Sequence, residues 1–247
     1  MESEALKTRL KIRRGEWGRP TTGLGFEQAN LVILPKRYAY DFLLFCQRNP
    51  KPCPLIEVGD EGSYEARCAP KSDIRFDVPK YRIYKKGKLA EECEDIEKYW
   101  KSDLIFFLLG CSFTFERELI DRGIKLKHLE QGKNVAMYNT NLKCNPAGVF
   151  EGEMVVSMRP IKHRDLVKTI EITSKFKKAH GPPVHLGSPA EIGIKALDVP
   201  DYGNPIDIDE REIPVFWACG VTPQLIALRK KLDFMITHSP GHMLILG

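Results

Sequence analysis

Short apolar runs alternate with amphipathic stretches along most of the chain, and this alternation predicts strands that are followed by helices. The run ANLVILP at 29–35 ends in proline and predicts a buried strand, and YAYDFLLFCQRN at 38–49 predicts the helix after it. The same patterns predict strands at PLIEV, YRIYKKG, MVVSMRP (154–160), IPVFWACG (213–220) and FMITH (234–238), and a helix at HRDLVKTIEITSKF (163–176). Strands and helices in alternation predict an α/β fold with a mainly parallel, buried sheet.

Residues 55–100 depart from this pattern because Pro, Gly and Asp interrupt them repeatedly. We expect a smaller inserted subdomain at 55–100, while 1–54 and 101–247 form the main α/β unit. A chain of 247 residues is long enough to bury one large core or two closely packed ones.

The composition indicates an ordinary globular protein, with 43% hydrophobic and 29% charged residues. No apolar run is long enough to span a bilayer, and the start of the chain, MESEALKTRLKIRRGEW, has charges where a signal peptide needs an apolar core. The seven cysteines are scattered and form no C-x-x-C pair, which fits reduced thiols better than a disulfide framework or a zinc module. We therefore expect a cytoplasmic protein.

The net charge of +5 is modest, and the basic residues are dispersed among acids. This pattern does not favour a nucleic-acid partner, whereas a small anionic molecule remains a suitable one. The expected partner is a small carboxylate substrate, with neither nucleic acid nor membrane, and a homo-oligomer is left open.

Two segments of the chain resemble each other, FFLLGCSFTFERELI at 106–120 and FWACGVTPQLIAL at 216–228. Each has an apolar strand, a turn of small residues with one cysteine, a threonine and a helix. Thr114 and Thr222 are predicted as helix N-caps, and Pro223 suits the first helical position. The dipole and free N–H groups of a helix N-terminus bind anions, and they can lower the pKa of a nearby cysteine.

This repeat predicts two carboxylate-binding loops, with the candidate residues Cys111, Ser112, Thr114, Gly220 and Thr222, and with Cys219 as a candidate nucleophile. The alternative is that the small residues permit tight strand-to-helix packing and that the cysteines fill buried space.

Further polar candidates lie in three other phrases. Tyr138 and Asn139, in KNVAMYNTN, can orient a polar ligand or simply form a turn. Arg159 ends the strand VVSMRP, where its guanidinium suits either a carboxylate or a structural ion pair. In ITHSPGHM, His238 and His242 are separated by Pro and Gly, which exclude a helix, and no further ligand lies at metal-binding spacing. No metal site and no cofactor is predicted.

The phrases RRGEWGRPTTGL, QANLVILP, LLGCSFTFE, KNVAMYNTN, HGPPVHLG, FWACGVTPQ and ITHSPGHM occur together and in order. From about residue 13 to its end the chain resembles the hydro-lyase family related to D-glutamate cyclase. The resemblance implies a three-layer αβα sandwich with a mainly parallel sheet, carrying a smaller two-layer α+β subdomain. It also implies a carbon–oxygen lyase for a small carboxylate or amino acid, since one relative converts D-glutamate to 5-oxo-D-proline and water.

Cyclisation needs a base for the ammonium, an acid for the departing water, oxyanion donors and a partner for the α-carboxylate. We assign the acid and base to His238 and His242, because imidazole titrates near neutral pH, and the carboxylate to Arg159. An ordinary hydro-lyase would use the same histidines to remove an α proton and to protonate a departing hydroxyl. A non-catalytic binder of small carboxylates and a metal-dependent hydrolase are the alternatives that the sequence leaves open.

Overall fold

A computed structural model describes residues 3–247 of the chain. The α-helices of this part are α1 (Glu4–Arg13), α2 (Lys36–Arg48), α3 (Phe113–Asp121), α4 (Lys127–Glu130), α5 (Leu166–Ser174) and α6 (Thr222–Lys230). The strands are β1 (Gln28–Pro35), β2 (Leu55–Val58), β3 (Tyr81–Lys85), β4 (Lys88–Cys93), β5 (Leu104–Gly110), β6 (Ala136–Lys143), β7 (Glu153–Lys162), β8 (His185–Leu186), β9 (Glu212–Ala218), β10 (Phe234–His238) and β11 (Leu244–Ile245). Short 3-10 helices lie at 97–99, 163–165, 177–179 and 189–192.

The strands form two antiparallel sheets. The larger sheet has the order β2-β5-β1-β10-β3-β4, with β11 beside the start of β1, and the smaller has the order β6-β7-β9-β8. Every strand pairing within residues 3–247 is antiparallel. The prediction of a three-layer sandwich with a mainly parallel sheet is therefore wrong. All eight residues of β1 are buried. A continuous apolar run therefore indicates that both faces of the strand are covered, but it does not distinguish parallel from antiparallel neighbours.

Apolar side chains cover the larger sheet on both faces. One face packs against loop residues from the segment between β2 and β5, including Ala66, Ile74, Val78 and Ile96. The other face packs against α2, α6 and the loop between β6 and β7, including Phe42, Phe45, Phe150 and Ile226. The smaller sheet packs one face against α3 and α5, where the rings of Phe115 and Trp217 lie 5.6 Å apart.

Most strands and helices that the sequence predicted are present near their predicted positions, including β1, α2, β7, α5, β9 and β10. The sequence did not predict α1, which begins at a Ser3 cap and buries Arg9 against the carbonyls of Ile245 and Leu246. Within 55–100, β2, β3 and β4 all join the larger sheet. The proposed division into a main unit and an inserted subdomain stays a prediction. Across residues 3–247, no helix has the length and apolar character needed to cross a membrane.

Candidate active site

Two tight strand-to-helix turns meet at the side chain of Asn30 on β1. The first turn joins β5 to α3, and the Asn30 amide donates a hydrogen bond of 2.6 Å to the Gly110 carbonyl. The second turn joins β9 to α6, and a Cβ atom on Gly220 would lie 2.1 Å from the Asn30 Nδ2 atom. The two segments that resemble each other in sequence are therefore neighbours in space.

Both turns hold a buried thiol in the same way. The backbone N–H of Phe113 donates to Cys111, and that of Val221 donates to Cys219. Burial dominates both environments and raises the pKa of Cys111 to about 12 and that of Cys219 to about 11. The amides at the helix termini do act to lower both pKa values, as expected, but burial outweighs them. A thiol that stays protonated at neutral pH does not favour Cys219 as a nucleophile, and that role stays a prediction.

Thr114 and Thr222 do not cap the helices as predicted. Both lie inside the first turn of their helices, and neither helix has a side-chain capping bond. Thr222 donates to the Cys219 carbonyl at 2.7 Å and accepts the Val155 N–H at 3.0 Å, while Thr114 accepts the Gln28 N–H at 3.3 Å. The threonines thus fasten each turn to a neighbouring strand, and their role in substrate binding stays a prediction.

Arg159 is fully buried in an ion pair. Its Nε and Nη2 atoms donate to one oxygen of Glu116 at 2.9 and 2.5 Å, and its Nη atoms donate to Ser157 at 3.1 Å and to Ser112 at 3.0 Å. Burial acts to raise the pKa of Glu116, but the charges of His128 and Arg159 outweigh it, and the pKa is lowered. Of the two roles that the sequence left open, these contacts favour the ion pair, which ties the first turn to β7.

Tyr138 and Asn139 hold a loop against β6. The Tyr138 hydroxyl donates to the Leu197 carbonyl at 2.7 Å, and the backbone and side-chain amides of Asn139 donate to the Asp201 carboxylate at 2.8 and 2.7 Å. These donors therefore bind the protein's own chain.

His238 ends β10 and is buried, with 1% of its surface exposed. Its Nδ1 atom lies 3.1 Å from the Leu31 amide nitrogen and 3.3 Å from the Leu31 carbonyl oxygen, so Nδ1 accepts in the tautomer protonated on Nε2 and donates in the other. The buried Nε2 atom has no hydrogen-bond partner among the described residues. Burial lowers the pKa of His238 to about 4, so the ring is neutral at physiological pH.

His242 is half-buried and follows the Pro-Gly turn. Its Nδ1 atom lies 3.1 Å from the Pro240 carbonyl, and burial lowers its pKa from the ordinary value. The charge of Arg82 lowers the pKa of both His238 and His242, and Glu92 acts in the opposite direction on His242. The two imidazoles of ITHSPGHM therefore share a charged neighbourhood.

Arg82 and Glu92, on the paired strands β3 and β4, were not among the candidates drawn from the sequence. Arg82 donates from Nε to Glu92 at 2.7 Å and also hydrogen-bonds Tyr84. Tyr84 donates to Gln224 at 3.1 Å, and Gln224 donates from Nε2 to the His238 carbonyl at 2.9 Å. A continuous network therefore joins the charged pair to the end of β10. The alternation of Arg82 and Tyr84 in YRIYKKG, which puts both on one face, was the available signal.

Tyr202 links this network to the second turn. Its hydroxyl is largely buried and interacts electrostatically with Tyr84, Arg82 and Cys219, and burial raises its pKa to about 12. We call the junction the neighbourhood made of Asn30, the two turns, Arg82, Glu92, Tyr202 and the segment from His238 to His242. Among residues 3–247, no group of three or more His, Cys, Asp or Glu is placed to hold a metal ion.

Comparison with known proteins identifies the family. A family model described as D-glutamate cyclase matches residues 105–247. A protein named "Putative hydro-lyase" from Natranaerobius thermophilus is 58% identical over 240 residues, which cover 96% of this chain and 92% of the relative. The chain belongs to the hydro-lyase family related to D-glutamate cyclase.

Two other members of the hydro-lyase family, whose printed names begin with the same words, support this assignment. The relative from Geobacillus kaustophilus is 54% identical, covering 97% of this chain and 92% of its own, and that from Bacillus subtilis is 53% identical, covering 96% and 93%. Among solved structures, a nitrogen repressor-like protein from Methanococcus jannaschii matches with 9% identity and a TM-score of 0.41, too low to support an argument. The family model includes both turns and both histidines, whereas Asn30, Arg82 and Glu92 lie before its first matched residue, 105.

Proposed function

We propose that this chain is a hydro-lyase that acts on a small carboxylate or amino acid at the junction. The printed names of its relatives and the D-glutamate cyclase family model support the reaction class. Cyclisation of D-glutamate to 5-oxo-D-proline and water is the specific reaction that we propose. A cytoplasmic address, a small-molecule partner and the lack of a cofactor stay predictions from the sequence.

The observation that carries the proposal is the position of Arg82. Its guanidinium is 21% exposed, interacts with both histidines, and binds Glu92 and Tyr84 with only part of its five donors. Arg159 is fully buried and its guanidinium binds Glu116, Ser112 and Ser157. We therefore assign the substrate carboxylate to Arg82 in place of Arg159, because a planar guanidinium pairs with a carboxylate through parallel hydrogen bonds.

The histidines then take complementary roles. In the reaction, a C–N bond forms between the amine and the γ-carboxyl carbon, and a C–O bond breaks. The ammonium gives up two protons, and the departing oxygen leaves with them as water. His242 is half-buried with a lowered pKa, so it is neutral near pH 7 and accepts a proton from the ammonium. In the tautomer protonated on Nε2, which is the one this mechanism uses, neutral His238 donates from Nε2 to the oxygen on which negative charge develops.

Incubation with D-glutamate, L-glutamate and a panel of hydroxy acids, followed by mass spectrometry, tests the reaction. We expect loss of one water from D-glutamate. In Arg82→Gln, kcat/KM should fall by about 100-fold, as expected when roughly 3 kcal/mol of charged hydrogen bonding is lost. Arg75→Gln is the matched control, because Arg75 is also ion-paired and is 20% exposed.

Two results would contradict the proposal. If none of the compounds is dehydrated while one of them raises the melting temperature, the chain is a binder of small carboxylates, the alternative left open by the sequence. If Arg82→Gln and Arg75→Gln retain the same kcat/KM, the carboxylate lies elsewhere and the assignment of Arg82 is wrong.

A further inference from the structure

A separate cavity of about 620 Å³ lies at the far end of the larger sheet from the junction. β10 runs from Phe234 in this cavity to His238 at the junction, and Pro35, the last residue of β1, also lines the cavity. Its size falls within the range of small-molecule sites, about 300–1,000 Å³. The two sites therefore occupy opposite ends of the same strands.

The cavity has an excess of positive charge. Lys85, Lys86, Lys88 and Lys101 line it, and within residues 3–247 none of the four forms a salt bridge with a carboxylate. Asp103 and Asp233 also line the cavity, so its five cationic side chains, the four lysines and Arg37, outnumber its two carboxylates, and the Asp233 carboxylate is bound by Arg37 and by the Tyr38 hydroxyl. Several other lysines of the chain are paired with acids, namely Lys36, Lys98, Lys127, Lys143 and Lys230. A multiply charged anion would relieve the repulsion between these unpaired ammonium groups.

The hairpin turn that displays three of these lysines is fixed in place. Lys86 and Gly87 both have positive φ, of 49° and 71°, and form the turn between β3 and β4. Their N–H groups donate to the carbonyls of Asp233 at 3.1 Å and Leu232 at 3.0 Å. A Cβ atom on Gly87 would lie 2.4 Å from the Cα atom of Lys231, so the turn packs directly against the preceding chain. A ligand would therefore find the backbone already ordered, which lowers the cost of binding.

Apolar side chains form another part of the wall. Pro35, Leu104 and Phe234 line the cavity, and the Lys101 ammonium lies 5.9 Å from the centre of the Phe234 ring. We propose that this cavity binds a nucleotide, a small molecule with two or more phosphate groups on a planar body. The phosphates would contact Lys85, Lys86 and Lys88, and the planar body would contact the ring of Phe234, which is partly exposed, whereas Leu104 is buried in the core behind it.

Isothermal titration calorimetry of the full chain with ATP, pyrophosphate and adenosine tests both parts of the proposal. We expect ATP to bind more tightly than pyrophosphate by about tenfold, and adenosine not to bind measurably. The affinity for ATP should fall as salt rises from about 50 mM to about 500 mM, because the contacts are between exposed charges.

Variants locate the site. Lys86→Glu combined with Lys88→Glu should abolish binding of ATP, whereas Lys11→Glu combined with Lys195→Glu, which changes the net charge equally at exposed positions outside this cavity, should leave it unchanged. Phe234→Leu should reduce the affinity for ATP to that for pyrophosphate.

The proposal is wrong if ATP produces no heat of binding, or if both double variants weaken it equally. Equal affinity for ATP and pyrophosphate would show that the planar body makes no contact that contributes to binding. Binding of adenosine alone would show that the phosphates are not required. Neither variant pair alters the junction, so a failure here is distinguishable from a failure of the proposed lyase activity.

Discussion

Arg82 and Arg159 are chemically identical side chains whose surroundings give them different uses. The sequence identified the strand of Arg159 correctly but placed Arg159 at its end, whereas β7 continues to Lys162. On sequence grounds Arg159 suited a carboxylate as well as an ion pair. The partner that it has in the structure, Glu116, lies 43 positions away in sequence on α3, and no local sequence pattern predicts that contact. Arg82 was not a candidate from the sequence, because YRIYKKG predicted only a strand. The different roles of Arg82 and Arg159 depend on contacts between residues far apart in the chain, and such contacts cannot be predicted from local sequence patterns.

Breaking the buried pair at Arg159 should strongly destabilise the protein. Arg159→Met removes one of the two counter-charges of the buried Glu116 carboxylate, the other being His128, so we expect the free energy of unfolding to fall by about 3–5 kcal/mol. Urea denaturation followed by circular dichroism measures the change. Arg159→Met combined with Glu116→Gln should recover much of the loss, since no buried charge then lacks its partner. A fall of less than about 1 kcal/mol in the single variant would show that the pair is not important for stability.

Two buried histidines should make the protein lose stability in mild acid. Burial lowers the pKa of His180 and His238 from 6.5 to about 4. Between these values the unfolded chain binds protons that the folded chain does not, so stability is fully present above pH 6.5 and is lost as the pH falls toward 4. Each histidine contributes about 3 kcal/mol to this loss.

Urea midpoints measured at intervals across this pH window test the histidine contribution. His238→Gln removes one titrating group, so its stability should decline less steeply with falling pH than that of the unchanged chain. His163→Gln, at an exposed position, is the control and should leave the slope unaltered. Parallel slopes for all three proteins would assign the acid sensitivity to other groups.

At the scale of elements, the strand-to-helix turns were the most informative prediction from the sequence. Their likeness was visible in the spacing of small residues and cysteines, and the structure places them side by side. The predicted caps were wrong, because Thr114 and Thr222 bond to neighbouring strands, while anion binding by the amides of the turns stays a prediction. Strand direction was also wrong. The apolar pattern of a segment indicates whether it forms a buried strand. Whether that strand is parallel or antiparallel to its neighbours depends on the path of the segments that connect them.

Gly220 packs closely against Asn30, so the effects of substitutions at these two positions on stability should not be additive. In Gly220→Ala the new methyl group meets the Asn30 side chain, and we expect a loss of about 1–3 kcal/mol in unfolding free energy. Asn30→Ala costs stability by itself because the Gly110 carbonyl loses its donor, but it also makes room for the methyl group. The double variant should therefore be more stable than the sum of the single changes implies.

Gly110→Ala provides the contrast in the same measurement. Its Cβ atom would lie 1.5 Å from the Lys178 carbonyl oxygen, which belongs to the backbone and cannot rotate away. Asn30→Ala should not rescue this variant. Additive losses at Gly220 and Asn30, or equal rescue at Gly110, would contradict the assigned contact.

At the scale of the whole molecule, the order of strands in the larger sheet differs from their order in the chain. β10 lies between β1 and β3, although about 200 residues separate β1 from β10 in sequence, for example Val32 from its partner Thr237. The position of β10 in the sheet could not be predicted from the sequence, because the pattern in FMITH predicts a strand but not the strands that pair with it. Sheets that depend on such distant pairings form slowly.

Amide hydrogen exchange should reveal this central position. We expect the slowest exchange in β1 and β10, which have neighbours on both sides, and fast exchange in β4, an edge strand with mostly exposed side chains. Mass spectrometry of peptides after timed exchange in deuterated buffer measures it. Exchange in β10 as fast as in β4 would show that β10 is only loosely held.

The central place of β10 has a consequence for synthesis on the ribosome. The chain is made from its N-terminus, so β1 and β3 leave the exit tunnel long before the strand that will lie between them. Until β10 emerges, both strands expose unpaired backbone groups along edges that are later interior. The nascent chain therefore passes through a period in which β1, which is fully buried in the folded protein, is open to pairing with other chains, and assistance by chaperones would matter most during that interval.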